Sequence, residues 1–311
     1  MKKIVLIIFI LFSTKSNACL NIFSIDSTGR VHHLEHYFFF PIEFRQDYIS
    51  KNLKALESKF NKKEYGYKNI SDYGAYLLMA SHFKEGLDLF RALSKKYPAV
   101  YEVTANIAVA YELNGNIDSA IYWEKTAIAI NPIAHKNTEW VHLKILEAKK
   151  KTLSDPDWCL NNNVTGIVEL IKERYVFHQN EGEEGNMFSD LIYQLEERFS
   201  FTYAEDKVVG KLIFELGDAY QAASTFRSYY CYAIAKYLYP ALSVSADEKM
   251  SQIKRTYPKE APGGNSVSDR EKKLPDDSTV KKLIYRIVNR PPINNNLFTF
   301  INIEKLISNI Q

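Results

Sequence analysis

A 34-residue period between Lys68 and Pro132 constrains this chain more than any other feature of its sequence. Gly74 and Ala108 stand 34 apart, as do Gly86 and Ala120, and Pro98 and Pro132. Between these markers the apolar residues recur at helical spacing in four successive segments. Each proline lacks the amide hydrogen needed to continue a helix, so it marks a boundary. Gly115-Asn116 supplies a helix stop followed by a helix start. The expected fold class is therefore mainly α, a solenoid of helix-turn-helix units.

Period, small residues and closing proline together resemble the tetratricopeptide repeat. Its pattern is an aromatic, Leu-Gly and Tyr on the first helix, then Ala, an aromatic and Pro on the second. The first copy has Ile70, Tyr73-Gly74, Leu77, Gly86, Phe90 and Pro98 at these places. The second has Thr104, Ile107-Ala108, Tyr111, Ala120, Glu124 and Pro132. Ile70, Thr104 and Glu124 depart from the aromatic positions. The resemblance implies that Gly74 faces Gly86 and Ala108 faces Ala120, where a large side chain would force the helices apart.

The same resemblance implies a protein or peptide partner held on the inner face of the first helices. That face would hold Ser71, Ala75, Leu78 and Met79 from one copy, and Glu102, Ala105, Val109 and Glu112 from the other. Chaperone-binding members of the family grip a C-terminal carboxylate with Lys and Asn. Ser71 and Ala75 stand in those places here, so a mixed apolar and acidic groove for a short peptide or helix is the expectation. In the same register a third copy would place His142 where the small residue belongs. Lys149-Lys150-Lys151 and Ser154-Asp155-Pro156-Asp157 then interrupt it, so Thr138 to Lys150 is expected to cap the array.

Residues 1–18 are expected to be a secretory signal peptide. Lys2 and Lys3 precede nine apolar residues, Ile4 to Phe12, and Ser16-Asn17-Ala18 offers a small-x-small cleavage site. Nine residues are too few for a bilayer-spanning helix, which takes about 20. The chain is thus expected in the periplasm or cell envelope. Cys19 would be the first mature residue, and two readings of it stay open. It is either the start of a soluble protein or a lipid-modified cysteine, although Ser16 replaces the aliphatic residue usual in lipoproteins.

Loss of Lys2, Lys3 and Lys15 takes the formal charge from +3 to zero. A neutral mature chain has no global field for nucleic acid. Cys159 and Cys231 are either a disulfide or two buried thiols, and no cysteines stand at chelating spacing. His32, His33, Glu35 and His36 lie in a segment read as a strand. There His32 and His36 would be roughly 13 Å apart, too far for one ion. No metal or cofactor is expected, and no phosphate loop, nucleophile elbow or H-E-x-x-H suggests an enzyme. A structural role in the envelope, or a hydrolase using the histidines, are the alternatives.

The domain organisation expected is a small N-terminal β-hairpin at 19–45, the repeat array with its cap at 46–151, and a second helical half at 152–246. A flexible linker at 247–278 follows, with all of its proline and glycine after Tyr257. Residues 279–311 are expected to dock, since Val280, Leu283, Ile284, Ile287 and Val288 form an apolar face. That face and Cys19 are the two features through which a membrane could be reached. Phe298 to Ile310 reads equally as strand or helix.

Overall fold

The computed structural model describes Leu20 and residues 46–167, 187–198, 205–221, 224–256, 274, 276, 278, 280–281 and 303–308. Among the described residues the regular elements are all helices. None of these helices is long and apolar enough to cross a membrane. The expected hairpin at 19–45, the histidines at 32, 33 and 36, Cys19 and most of the 247–278 linker lie outside the described residues.

Helix α1 (Gln46–Lys62) buries Leu53, Leu56 and Phe60 against α2 (Tyr67–Met79). Helices α2 and α3 (Phe83–Lys96) form one hairpin, and α4 (Tyr101–Leu113) and α5 (Ile117–Ile130) the next. Small residues set the spacing within them. A Cβ on Gly74 would lie 2.7 Å from Leu89 Cδ2 and 2.8 Å from the Phe90 ring. One on Gly86 would lie 2.5 Å from Leu78 Cδ2 and 3.5 Å from the Gly74 carbonyl. Ala108 and Ala120 are fully buried at the matching places. Between α4 and α5, Gly115 adopts φ +77, the left-handed conformation that favours glycine. Asn116 then caps α5 by accepting from the Ser119 amide. Pro98 and Pro132 each fall just past a helix end.

A 3₁₀ turn, Ala134–Asn137, leads into α6 (Glu139–Ser154). This helix does not close the array at an exposed end, as the capping expectation had it. Val141, Ile145 and Ala148 instead belong to the apolar core of the second half. That half is built from α7 (Trp158–Asn161), α8 (Met187–Arg198), α9 (Lys207–Tyr220), α10 (Thr225–Leu238) and α11 (Ser243–Thr256). Gly210 and Gly217 lie on the face of α9 that meets α10 and the residues after it. A Cβ on either would come within 2.8 Å of the Tyr239 or Tyr232 side chain. The Ser228 hydroxyl donates to the Gly217 carbonyl at 2.7 Å across the same contact. Cys159 and Cys231 are free thiols buried in this core, and burial raises both above the ordinary thiol pKa.

Helix α11 carries the chain past the expected linker boundary at 247. Ala246, Met250 and Ile253 recur at helical spacing and are buried, an apolar stripe hidden among charged residues. Near the end of the chain, α12 (Ile303–Ser308) packs on α2 and α3 through Leu306 and Ile307. The Tyr65 hydroxyl donates to the Leu306 carbonyl at 3.4 Å, and Lys96 Nζ to that of Ile307 at 3.3 Å. Val280 joins the core of the second half.

Candidate functional site

The expected ligand groove is not an open surface. Ser71, Ala75, Leu78 and Val109 are fully buried, and Met79, Ala105 and Glu112 are nearly so. Only Glu102 of the eight keeps partial exposure. The reason is packing: Ala75, Leu78, Met79 and Val109 are part of the first half's own apolar core. Asn106 Nδ2 donates to the Ser71 hydroxyl at 3.4 Å, and Glu112 is committed to charged neighbours inside the protein. The groove assignment is therefore corrected.

Buried charge is concentrated where the two halves meet. Glu112 near the end of α4, Glu124 in α5, His135 in the 3₁₀ turn, and Glu139 and His142 in α6 are all buried. Helical spacing puts Glu139 and His142 on one face, three residues apart. His135 is presented by left-handed backbone at φ 49, with Asn137 at φ 65 in the same turn. A non-glycine residue held there is strained, and such strain clusters at functional sites.

Helix α8 closes the cluster from the second half. Its apolar stripe, Leu191 and Leu195, enters the core. Its polar stripe, Asp190, Gln194 and Arg198, recurs every four residues and is buried too. Trp140 Nε1 donates to Asp190 at 3.0 Å, and Gln194 Nε2 donates to the Thr138 hydroxyl at 2.8 Å. Arg198 forks onto Glu112, Nη1 to Oε1 at 2.7 Å and Nη2 to Oε2 at 3.2 Å. Lys149 Nζ lies 2.9 Å from Glu112 Oε1 and 2.8 Å from Asp206.

These contacts fix the state of His142. Burial alone would raise the Glu112 carboxyl, but the Arg198 and Lys149 charges and His142 outweigh it. They hold Glu112 well below the usual carboxylate range, so it can only accept hydrogen bonds. His142 Nε2, 3.0 Å from Glu112 Oε2, must then be the donor. The other ring nitrogen, Nδ1, faces Glu124 Oε2 at 3.0 Å and Glu139 Oε2 at 4.0 Å. On the far side of Glu139, Tyr101 donates its hydroxyl to Oε1, and His135 Nδ1 contacts the same oxygen.

Burial pushes Glu124 up to about 8, helped by the Glu139 charge and opposed by His142. For Glu139 burial is overcome by His135, and the carboxyl sits below its ordinary range. Burial also works against a charged His142, yet the Glu124 charge and the bonds to Glu112 and Glu124 raise it to about 9. His142 Nδ1 and Glu124 Oε2, 3.0 Å apart with both groups raised, are therefore placed to share a proton. A raised histidine contributes stability that is complete below its unfolded value of 6.5 and is lost as pH climbs through about 9. Glu124 loses its contribution in the same direction. Glu112, whose carboxyl is depressed, contributes above 4.5 and loses that as pH falls. Urea unfolding in the presence of a chelator is expected to give a midpoint that declines on both sides of mildly acidic pH. A midpoint unchanged between pH 6.5 and 9 would contradict the assignment.

One ligand atom from each of Glu124, Glu139 and His142 lies within 4.8 Å of the other two, so this trio could hold a metal ion. In the sequence Glu124 and His142 stand out only as departures from the repeat, His142 at the place of a small residue. In fact its ring is fully buried between carboxylates. The Glu139-x-x-His142 spacing was the signal available for the site. Asp190, Gln194 and Arg198 were missed altogether because a polar stripe on an amphipathic helix reads as its solvent face. Comparison with protein-family models, with curated proteins and with solved structures returned no match for the chain.

Proposed function

We propose that the chain is an exported, non-enzymatic protein-interaction module built on tetratricopeptide-type repeats. The signal-like residues 1–18 support export to the periplasm or cell envelope. The 34-residue period, with close helix contacts at Gly74 and Gly86, supports the repeat assignment.

The observation that carries an interaction role lies on the outside of α5. Tyr122 is 64% exposed and Ile133 is 74% exposed, with Ile130, Ala129 and Pro132 also at the surface. Tyr122 and Ala129, seven residues apart, lie on one side of α5, and Ile133 is exposed in the turn after its end. Large apolar side chains left exposed along one helix and the turn that follows it suit association with another protein. Docking is therefore assigned to this outer stripe, in place of the inner face.

A photo-crosslinking amino acid placed at position 122 in cells producing the full chain tests the reading. It is expected to trap a discrete heterologous protein, and Ile133→Asp is expected to abolish the adduct while far-UV circular dichroism stays unchanged. No adduct would sink the proposal. An adduct of two copies of this chain would replace it with a structural, self-assembling role.

A further inference from the structure

We propose that Glu124, Glu139 and His142 bind one divalent first-row transition-metal ion at the junction of the two helical halves. The three side chains come from two neighbouring helices and are at most 3% exposed. Their ligating atoms lie within 4.8 Å of one another, a separation that an ion with bonds near about 2 Å can span after small rotations.

Three further observations point to a cation there. Glu124 Oε1 and Glu139 Oε2 are buried with no hydrogen-bond partner among the described residues, and Glu124 Oε2 has His142 Nδ1 beside it at 3.0 Å. A buried carboxylate left in that condition is costly unless a cation meets it. The nearby cationic side chains are directed elsewhere: Arg198 forks onto Glu112, and Lys149 lies between Glu112 and Asp206. Finally, His142 Nε2 donates to Glu112, so Nδ1, 3.0 Å from Glu124 Oε2 and 4.0 Å from Glu139 Oε2, is the nitrogen that faces the two carboxylates and offers a lone pair once its proton has left.

The carboxylate–imidazole arrangement is the one that orients metal-bound histidines, with the outer carboxylate fixing the tautomer and raising the basicity of the ring. Glu112 has that role, held in turn by Arg198 and Lys149. Tyr101 and His135 engage Oε1 of Glu139 and leave Oε2 facing His142 Nδ1 at 4.0 Å. One imidazole nitrogen with two carboxylates gives a mixed nitrogen and oxygen set. Such a set suits zinc, iron or manganese better than the all-oxygen sites of calcium and magnesium. Two carboxylates also balance the charge of a divalent ion without further groups. On binding, the proton between His142 and Glu124 leaves to solvent, so the site exchanges one cation for another.

The test uses the full chain produced in medium supplemented with manganese, iron, cobalt and zinc salts, then desalted. Elemental analysis by plasma mass spectrometry is expected to find about one transition-metal ion per chain in total. X-ray absorption on that material is expected to show nitrogen and oxygen ligands with the scattering of one imidazole. Glu124→Gln keeps the side-chain shape and removes a ligand charge, and is expected to lose the metal while retaining wild-type circular dichroism. Glu112→Gln, which alters only the outer partner, is expected to weaken binding about 10–100-fold. Metal far below one equivalent in the wild-type chain would overturn the proposal and leave the proton as the occupant. Full occupancy in folded Glu124→Gln would overturn it equally, by placing the metal elsewhere.

Discussion

Arg198→Ala is expected to destabilise the chain by about 3–5 kcal/mol, the usual cost of removing one member of a buried ion pair. Arg198 is 1% exposed and among the largest fully buried side chains of the described residues. Its two hydrogen bonds to Glu112, at 2.7 and 3.2 Å, engage both carboxylate oxygens. Removing it leaves Glu112 charged in a site from which water is excluded. Lys149 cannot take over, because it is already shared with Asp206 at 2.8 Å and is partly solvated. His142 offers a hydrogen bond but sits between Glu112 and two further carboxylates. The deleted volume adds a cavity cost to the electrostatic one. Urea unfolding read by circular dichroism checks the value, and a loss below about 1 kcal/mol would place the pair in the class of surface salt bridges.

Gly74→Leu is expected to cost about 2–3 kcal/mol, at the upper end for overpacking a filled core. A first added carbon already meets Leu89 at 2.7 Å and the Phe90 ring at 2.8 Å. Leu89 and Phe90 are themselves fully buried, so neither has room to swing aside. The remaining atoms of leucine can fit only if α2 and α3 separate. Leucine's better helix propensity returns no more than about 1 kcal/mol, which does not reverse the sign. Gly66→Ala is the control, since a Cβ there meets nothing within 4 Å. Its thermal midpoint is expected to stay close to wild type. Equal losses in both variants would show that α2 and α3 are not held at contact distance by Gly74.

The helical hairpins were legible because the residues that set helix spacing recur at a fixed period. Gly74, Gly86, Ala108 and Ala120 are read directly from the chain, and the physical demand on each is local. The fate of the first helices' inner face was not legible. Ser71, Ala75 and Leu78 look the same in sequence whether they face a ligand or the chain's own core. The junction was harder still. Glu112 and Arg198 stand 86 residues apart, and no periodicity links them. Glu124 and His142 were visible as misfits, the first standing for an aromatic and the second for a small residue. Their meaning needed the third dimension, because each is explained by the other and by Glu139. Two of the departures from the repeat, Glu124 and His142, are thus members of the buried cluster.

Buried, mutually dependent charges join the first helical half to the second. A double-mutant cycle on Glu112 and Arg198 tests this most directly. Glu112→Gln, Arg198→Met and the double replacement would be compared by urea unfolding of the full chain. The expected coupling energy is about 2–3 kcal/mol, near the upper range for residues in contact, with the double variant more stable than Arg198→Met alone. Losses that simply add, with coupling below about 0.5 kcal/mol, would contradict it.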